Sequence, residues 1–131
     1  MKKLILLVLF IGLFYSCSVD DEHHIFVPDI TGHWKWVQSI GGIDGRTETP
    51  ASTGNEIELE FLAGFYKKYV NGELEEEMTY EIKVGESLLF GKKTLMIIYE
   101  NGSKQSINLM GNKLFLIDEC LDCFHNEYIR F

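Results

Sequence analysis

The residues best suited to bind a metal or to change redox state lie in one short segment. Cys120 and Cys123 are separated by two residues, and His125 follows them. Thiols at this spacing can form a short-loop disulfide or remain free, and they can also supply part of a tetrahedral zinc site. Zinc would need a second pair of ligands, for which the sequence offers little besides His33. We therefore predict no metal site and expect either a disulfide or two free thiols.

Acidic residues are abundant, but their arrangement does not predict a catalytic pair. Glu56, Glu58 and Glu60 alternate with apolar residues, and a second acidic run covers residues 75–77. A strand directs alternate side chains to opposite faces, so we expect these carboxylates on a solvated face. The chain also lacks a Gly-x-Ser-x-Gly elbow, a His-Glu-x-x-His motif, a P-loop and a dinucleotide fingerprint. We therefore predict that the protein is not an enzyme and carries no cofactor.

Six aromatic residues in the expected strands are candidates for lining a ligand pocket. They are Trp36, Phe61, Tyr66, Tyr80, Tyr99 and Phe115. If they point inward, they can form an apolar pocket with hydroxyl groups that orient a ligand. The alternative, which we favour, is that they pack the interior solid.

The elements that would position these residues are strands. From Gly32 onward, apolar and polar residues alternate with a period of two, and no stretch of comparable length keeps a period of 3.6. Eight strands are predicted, at residues 34–40, 56–62, 65–70, 73–84, 94–100, 105–110, 113–118 and 127–131. The connection over residues 41–55 is the longest and has no apolar period.

Turn dipeptides separate several of these strands. Asn71-Gly72 and Asn101-Gly102 are expected to supply the two positive φ angles of a tight hairpin, and Gly111-Asn112 marks a third turn. Consecutive strands should then be antiparallel neighbours, and closing the sheet removes its exposed edges. We predict an all-β fold, a small up-and-down antiparallel β-barrel of about eight strands over residues 30–131, with a β-sandwich as the alternative.

The charge of the chain excludes one class of partner. The formal net charge is −8, and both Lys2 and Lys3 lie in a segment that we expect to be removed, which leaves about −10 on the rest. A surface this acidic repels phosphate backbones. We therefore predict no binding to nucleic acid.

Residues 1–16 have the order of an export signal peptide. Lys2 and Lys3 precede an apolar run over residues 4–15, and Ser16 stands before Cys17. The run is too short to span a bilayer, which takes about 20 apolar residues. We therefore predict that residues 1–16 are cleaved.

The residues Phe14-Tyr15-Ser16-Cys17 resemble the lipobox of bacterial lipoproteins. The resemblance implies that Cys17 is diacylated and anchors the protein to a membrane. Residues 17–29 would then form a flexible tether. The acidic stretch over residues 18–22 is similar to that of surface-displayed lipoproteins of the Bacteroidetes type. We expect an exported protein anchored to the outer membrane, at the periplasmic face or the cell surface.

A second resemblance concerns the expected barrel. Gly32-His33-Trp34 opens the first predicted strand, and Arg130 lies in the last. Lipocalins carry Gly-x-Trp in the first strand and an Arg near the last strand that packs across the Trp. The wider series, which is similar to the small lipocalin-like lipoproteins of Bacteroidetes, includes Gly41-Gly42, Thr49-Pro50, Leu59-Glu60-Phe61, Asn71-Gly72, Asp118-x-Cys120 and Tyr128-x-Arg130.

The lipocalin resemblance implies a closed end and a mouth. Gly32, Trp34 and Arg130 would close the barrel, and residues 41–55 would lie across its open mouth. Our first functional hypothesis is a binding module that holds a small apolar or amphipathic ligand there, with the six aromatic residues and the loop. The alternative is a surface interaction or structural protein that engages another cell-envelope protein.

Overall fold

The computed structural model describes residues 25–131, and most of these residues lie in strands. The predicted signal peptide of residues 1–16, the lipidation site Cys17 and the tether as far as residue 24 lie outside the described residues. The elements are β1 (Gly32–Gly41), β2 (Arg46–Glu48), α1 (Pro50–Thr53), β3 (Ile57–Leu62), β4 (Phe65–Val70), β5 (Glu73–Glu86), β6 (Lys93–Tyr99), β7 (Lys104–Met110), β8 (Lys113–Asp118) and β9 (Phe124–Arg130).

Eight of these strands form a closed antiparallel barrel. From β3 to β9 each strand pairs with the next along the chain, and β1 pairs with both β3 and β9. The closing ladder between β1 and β9 runs from Trp34↔Arg130 to Gly41↔Phe124. The predicted barrel is confirmed. The alternative of a β-sandwich is wrong, because one continuous sheet closes on itself.

Alternating burial along the strands produces the core. In β3, Leu59 and Phe61 are almost completely buried, whereas Glu58 and Glu60 between and beside them are partly exposed. Such alternation places one face of the sheet inside the barrel and the other in water. The most deeply buried large side chains are Ile30, Trp34, Leu59, Phe61, Ile97, Leu114 and Leu116.

Phe115 does not have the inward position expected for it. Leu114 and Leu116 are 0% and 1% exposed, so Phe115 between them lies on the opposite, outer face of β8, where it is partly exposed. Residues 114–117 form a continuous apolar run, Leu-Phe-Leu-Ile. The direction of a side chain cannot be read from alternation where no polar residue interrupts the run.

The turns follow the expected dipeptides, with one difference in backbone conformation. Asn71 and Gly72 both have positive φ, at 52° and 82°, and join β4 to β5. At the β6–β7 turn Gly102 has positive φ, but Asn101 does not. The Asn101 side chain instead accepts hydrogen bonds from the backbone and hydroxyl of Ser103. The longer turn therefore needs one left-handed residue instead of the predicted two.

Residues 41–55 are not the unstructured loop that we expected. β2 pairs with the end of β1 through Ser39↔Glu48, Ile40↔Thr47 and Gly41↔Arg46, so the chain folds back beside β1. The short helix α1 then begins at the cap residue Thr49, whose hydroxyl accepts from the Ser52 amide, while the Ser52 hydroxyl accepts from the Thr49 amide. Both features arise from backbone pairing and capping, and neither requires an apolar period.

The first and last barrel strands are tied together by Arg130. Its guanidinium carbon lies 4.2 Å from the centre of the Trp34 ring. Its Nη1 donates to the Thr31 carbonyl at 2.6 Å, and the Trp34 indole nitrogen donates to the Ile30 carbonyl at 2.8 Å. Gly32 has φ of +120°, and a Cβ at this position would lie 2.9 Å from Arg130 Nη1. Gly32 therefore leaves room for the guanidinium.

Candidate functional site

The interior of the barrel is not packed solid. A cavity of about 800 Å³, here called the interior cavity, is partly open to solvent and is lined by side chains from all eight barrel strands. Its rim includes the β6–β7 turn and the connection between β8 and β9. Pockets that bind small molecules have volumes of about 300–1,000 Å³. The solid packing that we favoured from the sequence is therefore incomplete, because aromatic residues join the buried core but leave this space beside them.

The six predicted aromatic residues do not all reach this cavity. Trp36, Tyr66 and Tyr99 line it. Phe61 and Tyr80 pack beside them, and the Phe61 ring centre lies 5.3 Å from those of both Tyr66 and Tyr80. Phe115, on the outer face, does not line the cavity, for the reason given above.

Tyr128 is a cavity residue that sequence analysis missed. It is 7% exposed, lines the interior cavity and pairs with Trp36 across the β1–β9 ladder. Because Tyr128 and Ile129 are both apolar, the sequence did not show which of the two side chains points into the barrel. A signal was present nonetheless, because Arg130 was expected to face Trp34 and a strand returns to the same face after two residues.

Hydrogen bonds hold several polar groups of the cavity in place. The Tyr99 hydroxyl donates to Gln105 Oε1 at 2.6 Å, and Gln105 Nε2 donates to Asp118 Oδ1 at 2.6 Å. In the described chain Asp118 forms no ion pair within 4 Å. In a second series of hydrogen bonds, the Trp36 indole nitrogen donates to the Ser39 hydroxyl at 2.8 Å, and that hydroxyl donates to Asn126 Oδ1 at 2.6 Å. Fixed polar groups of this kind can orient a ligand.

Two tyrosine hydroxyls of the cavity have no hydrogen-bond partner within residues 25–131. Tyr66 and Tyr128 are 6% and 7% exposed and line the interior cavity. Within residues 25–131, every fully buried side-chain nitrogen or oxygen has a hydrogen-bond partner. The two unpartnered hydroxyl oxygens are therefore not fully buried. Both hydroxyls are therefore accessible from the cavity, where each can donate and accept one further hydrogen bond.

The cavity also contains charged groups. Glu76 and Asp118 line it together with Lys68, whose Nζ lies 2.9 Å from Glu75 and 3.9 Å from Glu76. Burial raises the pKa of the Tyr128 hydroxyl, and the negative charges of Asp118 and Glu76 raise this pKa further. Burial, the neighbouring tyrosines and the same two carboxylates also raise the pKa of Tyr99.

The position of Glu76 contradicts the expectation that the acidic run over residues 75–77 lies on a solvated face. Glu76 opposes Lys68, and Met78 opposes Tyr66, so both lie on the inner face of β5. The register shifts between Lys68 and Tyr69, which leaves Glu75 as an extra residue in a β-bulge. Tyr80 and Met78 are inward-facing residues two positions apart, so the same alternation predicts that Glu76 also faces inward. The three consecutive acidic residues obscured this signal.

The two cysteines at the cavity rim, which the sequence singled out as possible metal ligands, form a disulfide. Cys120 and Cys123 are bonded to each other, with their Cα atoms 5.4 Å apart. His125 is exposed in β9. Within residues 25–131, no group of three His, Cys, Asp or Glu side chains is arranged to hold a metal ion.

The expected loop over residues 41–55 does not contribute to the cavity. No residue of this segment lines it, and β2 instead extends the sheet by pairing with the end of β1. The connection between β5 and β6 contributes instead, through Leu88. This connection is held by Glu119, which accepts hydrogen bonds from the Ser87 hydroxyl at 2.9 Å, the Leu88 amide at 2.8 Å and the Ser106 hydroxyl.

No helix within residues 25–131 has the length and apolar character needed to cross a membrane. Comparison of the chain with models of protein families, with curated proteins and with solved structures found no match.

Proposed function

We propose that the protein is a membrane-anchored, lipocalin-like binding protein that holds a small amphipathic molecule inside its barrel without converting it. The observation that carries the proposal is the interior cavity of about 800 Å³, which is partly open to solvent. A well-formed cavity with an aromatic lining and a few convergent polar groups is the usual form of a small-molecule site.

The lining supports an amphipathic ligand. The rings of Trp36, Tyr66, Tyr99 and Tyr128 offer apolar surface, and the Tyr66 and Tyr99 ring centres are 5.0 Å apart. The unpartnered hydroxyls of Tyr66 and Tyr128 offer hydrogen bonds in the same space. A ligand with one apolar and one polar part would use both kinds of surface.

The proposed anchoring is supported by the resemblance of Phe14-Tyr15-Ser16-Cys17 to a lipobox. Ile25, Phe26 and Val27, which precede the barrel, are exposed. The first residues held by the barrel are Asp29, Ile30 and Thr31, through the hydrogen bonds of Arg130 and Trp34. Diacylation of Cys17 would thus place the barrel on a short tether at the outer membrane, on its periplasmic face or at the cell surface.

A cavity-filling substitution tests whether the barrel binds small molecules. Met78 is partly buried and lines the interior cavity, so Met78→Trp should fill part of it. The measurement is fluorescence titration with the neutral apolar probe N-phenyl-1-naphthylamine, using the unacylated chain from Ser18 onward, which contains the complete barrel. We expect wild type to bind the probe and Met78→Trp to bind it at least about tenfold more weakly, since the substitution removes the space.

Thr79→Trp is the matched control for that substitution. Thr79 is the next residue along β5 and is exposed, so the same added ring lies outside the barrel. This variant should bind the probe like wild type, and circular dichroism should show the same strand content in all three proteins. A wild-type barrel that does not bind the probe, or equal loss of binding in both variants, would argue against the proposal and favour the surface-interaction alternative.

A further inference from the structure

We propose that the ligand of the interior cavity is an organic cation, a protonated primary amine with an apolar part, whose charged end lies near Asp118 and Glu76. This inference rests on the proposed function and deepens it by naming the class of ligand. Three observations of the same cavity carry it, namely an excess of carboxylates, two unpartnered tyrosine hydroxyls and an environment that disfavours a further negative charge.

The first observation is an excess of negative charge. Four acidic residues line the cavity, Glu76, Glu86, Asp118 and Glu119, against two basic residues, Lys68 and Lys104. Lys68 is paired with Glu75 and Glu76, and Lys104 is exposed at the start of β7. Asp118 receives a hydrogen bond from the neutral Gln105 amide, and within residues 25–131 no cation lies within 4 Å of it. Its negative charge is therefore free to attract a ligand.

The second observation is the pair of unpartnered hydroxyls. Tyr66 and Tyr128 are more than nine-tenths buried, line the cavity and have no hydrogen-bond partner within residues 25–131. Both hydroxyls are accessible from the cavity, so each is positioned to form a hydrogen bond with a ligand there. A primary ammonium group has three N–H donors, and each of these hydroxyl oxygens has two lone pairs that can accept a hydrogen bond from it.

The third observation is that the cavity disfavours anions. Burial raises the pKa of Tyr128, and the charges of Asp118 and Glu76 raise it further, because a second negative charge there would be repelled. The carboxylate of a fatty acid would meet the same repulsion. A cation instead gains from the carboxylates and from the negative ring faces of Trp36 and the tyrosines.

Three probes with the same apolar part separate ligand charge from ligand size. They are 4-phenylbutylamine, a cation at neutral pH, 4-phenylbutanol, which is neutral, and 4-phenylbutyrate, an anion. Isothermal titration calorimetry on the chain from Ser18 onward gives the affinity for each. We expect the amine to bind about tenfold or more tightly than the alcohol, and the anion to bind most weakly.

Asp118→Asn tests the assigned carboxylate. Asparagine has nearly the same shape and can still accept the hydrogen bond from Gln105, so the barrel should fold as in wild type. We expect affinity for the amine to fall by about tenfold and affinity for the alcohol to stay unchanged. The control is Glu77→Gln, which removes one charge from the exposed face of the same barrel and should change neither affinity.

The outcomes distinguish the two proposals. If none of the three probes binds, both the proposed function and the cation proposal fail. If the alcohol or the anion binds as tightly as the amine, or if Asp118→Asn weakens all three equally, the barrel is a binding protein but its ligand is not selected for positive charge. Selective loss of amine binding in Asp118→Asn, with Glu77→Gln unchanged, is the result that we expect.

Discussion

At the scale of single residues, Gly32, Trp34 and Arg130 have distinct physical roles in one contact. The Arg130 guanidinium lies over the Trp34 ring and donates to the backbone of Thr31 and Asp29. Gly32 provides the positive φ of +120° and the space that a Cβ would take from Arg130 Nη1. Trp34 is fully buried, whereas Arg130 is exposed, so the guanidinium covers the outer side of the ring while keeping its own contact with water.

Gly32→Ala should therefore destabilise the barrel for two separable reasons. Backbone strain of this kind is worth about 1–3 kcal/mol, and the new methyl group also displaces the guanidinium. We expect the free energy of unfolding in urea, followed by tryptophan fluorescence, to fall by at least that amount. In an Arg130→Ala background the same substitution should have a smaller effect, since the displaced group is then absent.

Gly64→Ala is the matched control. Gly64 also has positive φ, at +79°, but a Cβ there would meet nothing within 4 Å. This variant reports backbone strain alone. If Gly32→Ala is no more destabilising than Gly64→Ala and shows no coupling to Arg130, then the contact with Arg130 does not depend on the missing Cβ.

At the scale of elements, the strands were largely predictable, because each barrel strand has one wet and one buried face. The predicted strand at residues 65–70 matches β4, and that at residues 113–118 matches β8. β9 begins at Phe124, three residues earlier than expected, because Phe124, His125 and Asn126 pair with β1. This pairing depends on a strand that is distant in the sequence, and residues 124–126 show no alternation of apolar and polar residues from which it could be predicted.

The cavity was harder to predict than the strands. Trp36, Tyr66 and Tyr99 were identified as candidates because each occupies an apolar position in a strand. Whether such rings fill a barrel depends on its diameter and strand tilt, which local sequence does not encode. Glu76 and Asp118 were missed because acidic residues in strands normally face solvent.

The connection between β5 and β6 depends on one carboxylate. Burial opposes ionisation of Glu119, but hydrogen bonds from Ser106, the Leu88 amide and Ser87 outweigh it and hold its pKa below the ordinary value. The carboxylate is partly exposed, so we expect Glu119→Gln to lower the free energy of unfolding by about 1 kcal/mol at neutral pH. Amide hydrogen exchange should also become faster at Leu88, Leu89 and Phe90.

The pH dependence of this effect has a definite sign. Because the pKa of Glu119 is lower in the folded than in the unfolded state, its contribution is complete above the ordinary pKa and is lost as pH falls through the folded value. The difference between wild type and Glu119→Gln should therefore shrink from neutral pH to about pH 3. Asp122→Asn, an exposed change in the neighbouring connection, is the control. A difference that is constant with pH would contradict the assignment.

At the scale of the whole molecule, the barrel divides into a packed part and an open part. Arg130, Trp34 and the surrounding core close one part, and the interior cavity occupies the other. An eight-stranded barrel is just wide enough either to be filled by side chains or to hold one small molecule. Here the tyrosine hydroxyls and the carboxylates occupy the interior without filling it. A closed barrel with this interior is consistent with the proposed binding of a small ligand, and the proposed lipid tether would place that ligand at a membrane surface.

Native mass spectrometry of the protein, purified from the cells that naturally produce it, tests this account most directly. We expect a mass above that of the acylated chain by one small molecule per barrel, which is released on unfolding and carries a basic nitrogen. Met78→Trp purified in the same way should lack the added mass, and Thr79→Trp should retain it. A wild-type barrel that carries no bound molecule and also fails to bind any of the three phenylbutyl probes would show that the interior is not a ligand site.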